Sequence, residues 1–150
     1  MSLRRHRLTN SGYTFVEVLT SAALASILLA ISVPELPTFW AQFQIGGTAR
    51  EIAVDLQRAR MKAVGENAFY RVVFASDGSY FFQKSADGSS FENDGRAVWL
   101  PNGIAFHGEL PRPTFNRLGV LSNGVSVTVT NSLGQMKTVQ INILGKITIS

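Results

Sequence analysis

The run from Tyr13 to Val33 constrains this chain more than any other feature. It is built from apolar and small residues, and Glu17 is its single charge. Coiled into a helix, a run of this length reaches roughly 30 Å, the thickness of a bilayer's hydrocarbon core. Arg4, Arg5 and Arg7 precede it, and no Lys or Arg follows until Arg50. That asymmetry predicts a single span with a cytoplasmic N-terminus and the remaining residues across the membrane. A carboxylate in such a span costs several kcal/mol, so Glu17 needs a partner or a function.

A removable secretory signal is the ordinary alternative, with Ala23-Leu24-Ala25 or Ala30-Ile31-Ser32 as cleavage sites. It would place Glu17 inside the apolar core of the signal, and the run is longer than such a core requires. The overall charge points the same way. Of the 14 Lys and Arg, three lie before the run; without them 11 bases face 10 acids. The basic character therefore belongs mainly to the first residues and is no nucleic-acid footprint. The chain has no cysteine, which excludes a disulfide scaffold and thiol chemistry.

A short basic leader ending in Gly12, then Tyr13, Thr14, Phe15-Val16 and Glu17, resembles the type III signal of type IV pilins and pseudopilins. Pro34-Glu35 is similar to the proline that ends the first helical stretch in many pilins. The resemblance implies cleavage between Gly12 and Tyr13 by prepilin peptidase and N-methylation of Tyr13. It also implies that Glu17 meets the N-terminal amine of a neighbouring subunit, so that assembly relieves the isolation of its charge. Tyr13 stands where Phe is commoner, a change that keeps the chemistry. Pairs of small residues, Ser21 with Ala25, Ala22 with Ser26 and Ser26 with Ala30, suit close helix contacts in lipid.

Beyond Pro34 and Pro37 a soluble head is expected. From Gln42 to Asn67, Ile45, Ala49, Ile52, Leu56, Ala59 and Ala63 recur at threes and fours, one face of an amphipathic helix. Arg50, Arg58, Arg60 and Lys62 interleave with Glu51, Asp55 and Glu66, the pattern of a solvated mixed-charge face. Gly46-Gly47 weakens the helix and marks a bend. The rest reads as short strands: 71–74 and 80–83 around Asp77-Gly78, 97–100 and 104–107 around Pro101-Asn102-Gly103, then 125–130, 137–143 and 146–149. The expected fold class is α+β, a long N-terminal helix packed on an antiparallel β-sheet head. The divisions are a leader 1–12, an assembly helix 13–33, an amphipathic helix 34–67 and a β-rich head 68–150.

The stretch from Phe115 to Ile149, with DLQRARMKAV (55–64) and LPNGIAF (100–106), resembles the head shared by minor pseudopilin H of type II secretion systems and the FimT-like minor pilins. The resemblance implies a structural subunit, not an enzyme, held in the inner membrane with a periplasmic head and assembled into a filament. Its expected partners are other pseudopilins or minor pilins, prepilin peptidase, and secreted proteins as candidate substrates. Two roles stay open: a minor pseudopilin of type II secretion, and a FimT-like minor pilin of pilus assembly and DNA uptake.

Other chemistries find little support. His107 stands alone beside an expected strand, and no nucleophile elbow, zinc-protease motif or phosphate loop is present. Major pseudopilins carry calcium in their heads, but the spacing of Asp87, Glu92 and Asp94 does not match an EF-hand loop, so neither a metal nor a cofactor is expected. Some FimT-like pilins use a Gly-Arg-x-Arg motif on DNA; here the matching residues are Gly145-Lys146-Ile147-Thr148. Arg112, Arg117, Lys137 and Lys146 are the candidate DNA patch, and nucleic acid is not the expected partner.

Overall fold

The computed structural model describes residues 13–32 and 36–150. Gly12, the expected cleavage position, and Pro34, the expected helix break, lie outside them. Two compact units divide after Pro37.

The first unit contains α1 (Phe15–Ser32). Its side chains from Phe15 to Ile31 are all exposed. Thr20 Oγ1 donates to the Glu17 carbonyl at 3.0 Å and Ser26 Oγ to the Ala22 carbonyl at 2.8 Å. These hydroxyls are thereby satisfied within the helix, which lowers the cost of placing them in apolar surroundings. Among the described residues no helix is long and apolar enough to cross a membrane. The expected span 13–33 runs past the end of α1 to Val33, outside the described residues.

The second helix, α2 (Leu36–Gly65), continues through Gly46 and Gly47. All six positions of its expected apolar face, from Ile45 to Ala63, are buried. Three of those six are isoleucine or leucine and three are alanine, so large and small side chains together fill the space against the sheets. A buried leucine such as Leu56 contributes about 1.5–3 kcal/mol by leaving water. The helix ends at Gly65, and Asn67 turns the chain with φ +49, a conformation Asn tolerates better than most residues.

The strands divide between two antiparallel sheets rather than forming one. β1 (Phe69–Phe74) and β2 (Ser79–Ser85) form a hairpin whose turn places Gly78 at φ +84. β3 (Glu92–Asn93) and β4 (Val98–Trp99) lie end to end along the other edge of β2, and β6 (Thr114–Phe115) flanks β1. The second sheet runs β5-β7-β8-β9, from β5 (Ile104–His107), β7 (Val125–Asn131), β8 (Met136–Ile141) and β9 (Ile147–Ile149). The Pro101-Asn102-Gly103 turn thus carries the chain from one sheet to the other, because β4 pairs with β2 and β5 with β7.

Both sheets and α2 share one core. Tyr70, Val72 and Phe82 come from the first sheet; Val127, Val129 and Val139 come from the second. Phe74 sits between them, 5.6 Å from the Tyr80 ring and 5.3 Å, edge to face, from Phe106.

Candidate assembly site

At the start of α1, Thr14 acts as the N-cap. The Glu17 N–H donates to Thr14 Oγ1 at 3.2 Å and the Val18 N–H to the Thr14 carbonyl at 3.2 Å. Glu17 is therefore the third residue of the helix, where a carboxylate meets the positive end of the helix dipole. Thr14-x-x-Glu17 has the spacing of a capping box, a signal present in the sequence that the leader motif overshadowed. Among the described residues the Glu17 carboxylate has no ion-pair partner. Tyr13 lies just outside the helix and is 82% exposed, so an amine there would be free to reach outward.

Within the head, the charged residues of α2 do specific work. Asp55 is buried; Tyr80 Oη donates to its Oδ2 at 2.7 Å, and Arg58 holds its Oδ1 at 2.7 Å. Burial first, and then the Asp55 carboxylate, pushes the Tyr80 hydroxyl far above the usual phenol range. At the end of α2, Tyr70 Oη donates to Glu66 at 2.8 Å, Lys84 pairs with Glu66 at 2.6 Å, and Lys62 pairs with Asp94 at 2.6 Å. The Lys84 bond holds Glu66 below its ordinary value, and the Lys62 bond does the same for Asp94. This is a correction to a purely solvated mixed-charge face: Asp55, Glu66 and Lys62 fasten the helix to the first sheet.

Arg60 fastens it to the connection between β6 and β7, beside the β8–β9 turn. Its Nε donates to the Gly119 carbonyl at 3.0 Å, and Gly145, at φ +75, passes directly beside it. A Cβ on Gly145 would lie 2.7 Å from Arg60 Nε and 2.9 Å from the Gly119 oxygen. Asn131 makes a further tie. Its Nδ2 donates to the Ala41 carbonyl at 3.3 Å, while its Oδ1 accepts from the Leu133 and Gln135 N–H groups and so shapes the β7–β8 turn.

The four residues of the candidate DNA patch fall on separate elements. Arg117 donates to the Ala86 carbonyl at 2.7 Å and lies over the Phe69 ring. Arg112 lies close enough to Arg71 to lower its pKa, after burial as the larger cause. Lys137 is on β8 opposite Val129, and Lys146 is in the β8–β9 turn. His107 ends β5 opposite Thr128 and is exposed. Of the loop acids, Asp94 is committed to Lys62. Asp87 accepts from Ser85, from the Ser89 hydroxyl and from the Ser89 and Ser90 N–H groups, which together hold it well below the usual carboxylate range. Among the described residues no group of three or more His, Asp or Glu converges as a metal site.

No family model matches this sequence, and no curated protein matches it significantly. Solved structures do match. The minor pseudopilin EpsH from the type 2 secretion system of Vibrio cholerae superimposes with a TM-score of 0.59 at 9% identity, over 71% of this chain and 96% of that one. A second EpsH structure gives 0.58 at 10% identity, over 71% and 92%. The type IV minor pilin FimU of Pseudomonas aeruginosa strain PAO1 gives 0.60 at 14% identity, over 75% and 92%. The fold is pilin-like. At these identities the likeness is one of fold, shared by a minor pseudopilin of a secretion system and a type IV minor pilin.

Proposed function

We propose that this chain is a minor pseudopilin of a type II secretion system, a structural subunit that helps initiate or cap a periplasmic filament. The observation that supports it is a pilin-like head in the same chain as an exposed apolar helix with Glu17 in its first turn. In this reading the chain is made with a leader, prepilin peptidase cuts after Gly12, and Tyr13 is methylated. Residues 13–33 hold it in the inner membrane, with the head in the periplasm, until a neighbour's Tyr13 amine pairs with Glu17. Pro34 ends the membrane stretch. The role is structural, with other pseudopilins as partners and secreted proteins as cargo.

A second reading is a minor type IV pilin of pilus assembly and DNA uptake. The FimU likeness favours it, covering slightly more of the chain at slightly higher identity. A deletion strain scored for exoprotein release, pilus-driven motility and DNA uptake separates the two. Loss of exoprotein release alone supports the first. Loss of motility or uptake with secretion intact replaces it with the second.

A further inference from the structure

The charges of α2 are sorted by flank. Arg50, Val54, Gln57, Arg60, Met61 and Val64 fall within one exposed or half-exposed side at helical spacing, and no acid lies among them. The acids Asp55 and Glu66 point instead toward Tyr80 and Tyr70. Val54 is 58% exposed on this flank.

Beside the flank runs β9, the terminal strand of its sheet. Ser150 and Thr138 exchange both N–H···O bonds, and the Asn142 N–H donates to the Lys146 carbonyl. Antiparallel pairing alternates, so residues 146, 148 and 150 address β8 while the N–H and C=O groups of Ile147 and Ile149 point the other way. They point into a groove of ≈ 560 Å³ with Val54, Gln57 and Arg60 on one wall and Lys146 at one end. Leu144, 69% exposed, adds apolar surface there, and among the described residues no acid lines the groove. An edge left unpaired among the described residues is a template for another strand.

We propose that this groove docks an extended segment of another protein subunit, which adds as a strand to β9 and delivers a carboxylate to Arg60 and Lys146. Each property of the occupant follows from a wall. The open backbone edge requires an extended chain. Val54 and Leu144 require apolar side chains at alternate positions. Two cations without an acid require a negative group. The chain's own leader, with Arg4, Arg5 and Arg7, has the wrong charge. Nucleic acid would use the cations and leave both the backbone edge and the apolar wall unsatisfied.

The inference is independent of which filament the chain serves, and it is tested on the purified full chain in detergent. The probe is a fluorescein-labelled octapeptide of alternating Val and Thr ending in two Glu, followed by anisotropy. Saturable binding is expected, weakened about tenfold or more by Lys146→Glu, by replacing the Glu residues of the probe with Lys, and by methylating alternate amides of the probe. Ile149→Pro removes one outward N–H while sparing the bonds at 148 and 150, and it is expected to weaken binding similarly. The methylated probe tests the same bond on the unaltered protein, so the result does not depend on Ile149→Pro folding. Absence of saturable binding by about 1 mM, or equal binding of the methylated probe, overturns the proposal. Displacement of the probe by single-stranded DNA with the same dependence on Ile149, or self-association in sedimentation that Ile149→Pro abolishes, overturns it in favour of nucleic acid or a second copy.

Discussion

Gly145→Ala tests how tightly α2 is locked to the second sheet. Two penalties combine. The left-handed backbone at φ +75 costs a non-glycine residue about 1–2 kcal/mol. The new methyl would stand 2.7 Å from Arg60 Nε and 2.9 Å from the Gly119 carbonyl oxygen, contacts real side chains essentially never make. The Arg60 side chain can shift, but the Gly119 oxygen is backbone, and forced overpacking costs about 1–3 kcal/mol. The sum is about 3 kcal/mol. Gly134→Ala is the control: it has the same φ of +75 and nothing within 4 Å of its added carbon, so it carries the backbone penalty alone, about 1 kcal/mol. For a head of roughly 110 residues, near 4 °C per kcal/mol, thermal melts of the full chain in detergent should fall by about 12 °C and 4 °C respectively. Arg60→Ala should make Gly145→Ala less damaging, since part of the clash leaves with the guanidinium. Equal losses for the two glycine variants would refute the reasoning, because the packing at Gly145 would then contribute nothing.

Glu17→Val should preserve membrane insertion and leader cleavage yet lower incorporation into sheared or cross-linked filaments, by more than a hundredfold if the lost pair is fully buried at about 3–5 kcal/mol; normal incorporation would remove Glu17 from assembly. Intact-mass analysis of membrane-extracted protein should show loss of residues 1–12 and one added methyl, whereas a form starting after Ala25 or Ser32 would indicate an ordinary signal peptide. Tyr80→Phe should destabilise the head by about 1–3 kcal/mol, because buried Asp55 loses one partner, as read by denaturant titration. Stability should also depend on pH at both ends. Glu66 and Asp94 titrate below their unfolded values, so their contribution is present above the ordinary carboxylate range and disappears as pH falls through their lowered values. Tyr70 and Tyr80 titrate above theirs, so their contribution is complete below about pH 10 and declines as pH rises beyond it. Melting temperatures flat across both ranges would contradict these assignments.

The helix face from Ile45 to Ala63 and the Asp77-Gly78 hairpin were legible because each is encoded by local spacing. Pro101-Asn102-Gly103 was legible as a turn, but its flanking strands belong to different sheets, and local turn chemistry does not name a strand's partner. β3 and β6 are two residues each, too short to show a period. Asp55 and Arg60 looked like ordinary members of a solvated helix. Only the fold reveals that one meets Tyr80, 25 residues on, and the other meets Gly119, 59 residues on. The candidate assembly residues Tyr13 and Glu17 were found from a motif, and the cap by Thr14 explains independently why an acid suits that turn.

The route of the chain between its sheets has a consequence for synthesis. β1 to β4 build most of one sheet, β5 departs to the other, β6 returns, and only then do β7 to β9 arrive. A head emerging N-terminus first cannot close the first sheet before Phe115 appears. By then β5 is already exposed, and its neighbour β7 does not yet exist. Neither sheet is a contiguous piece of sequence, so no early fragment of the head can be finished and set aside. An unpaired β5 edge must wait in solution until about twenty further residues have emerged, an interval in which a chaperone or a neighbouring chain could pair with it.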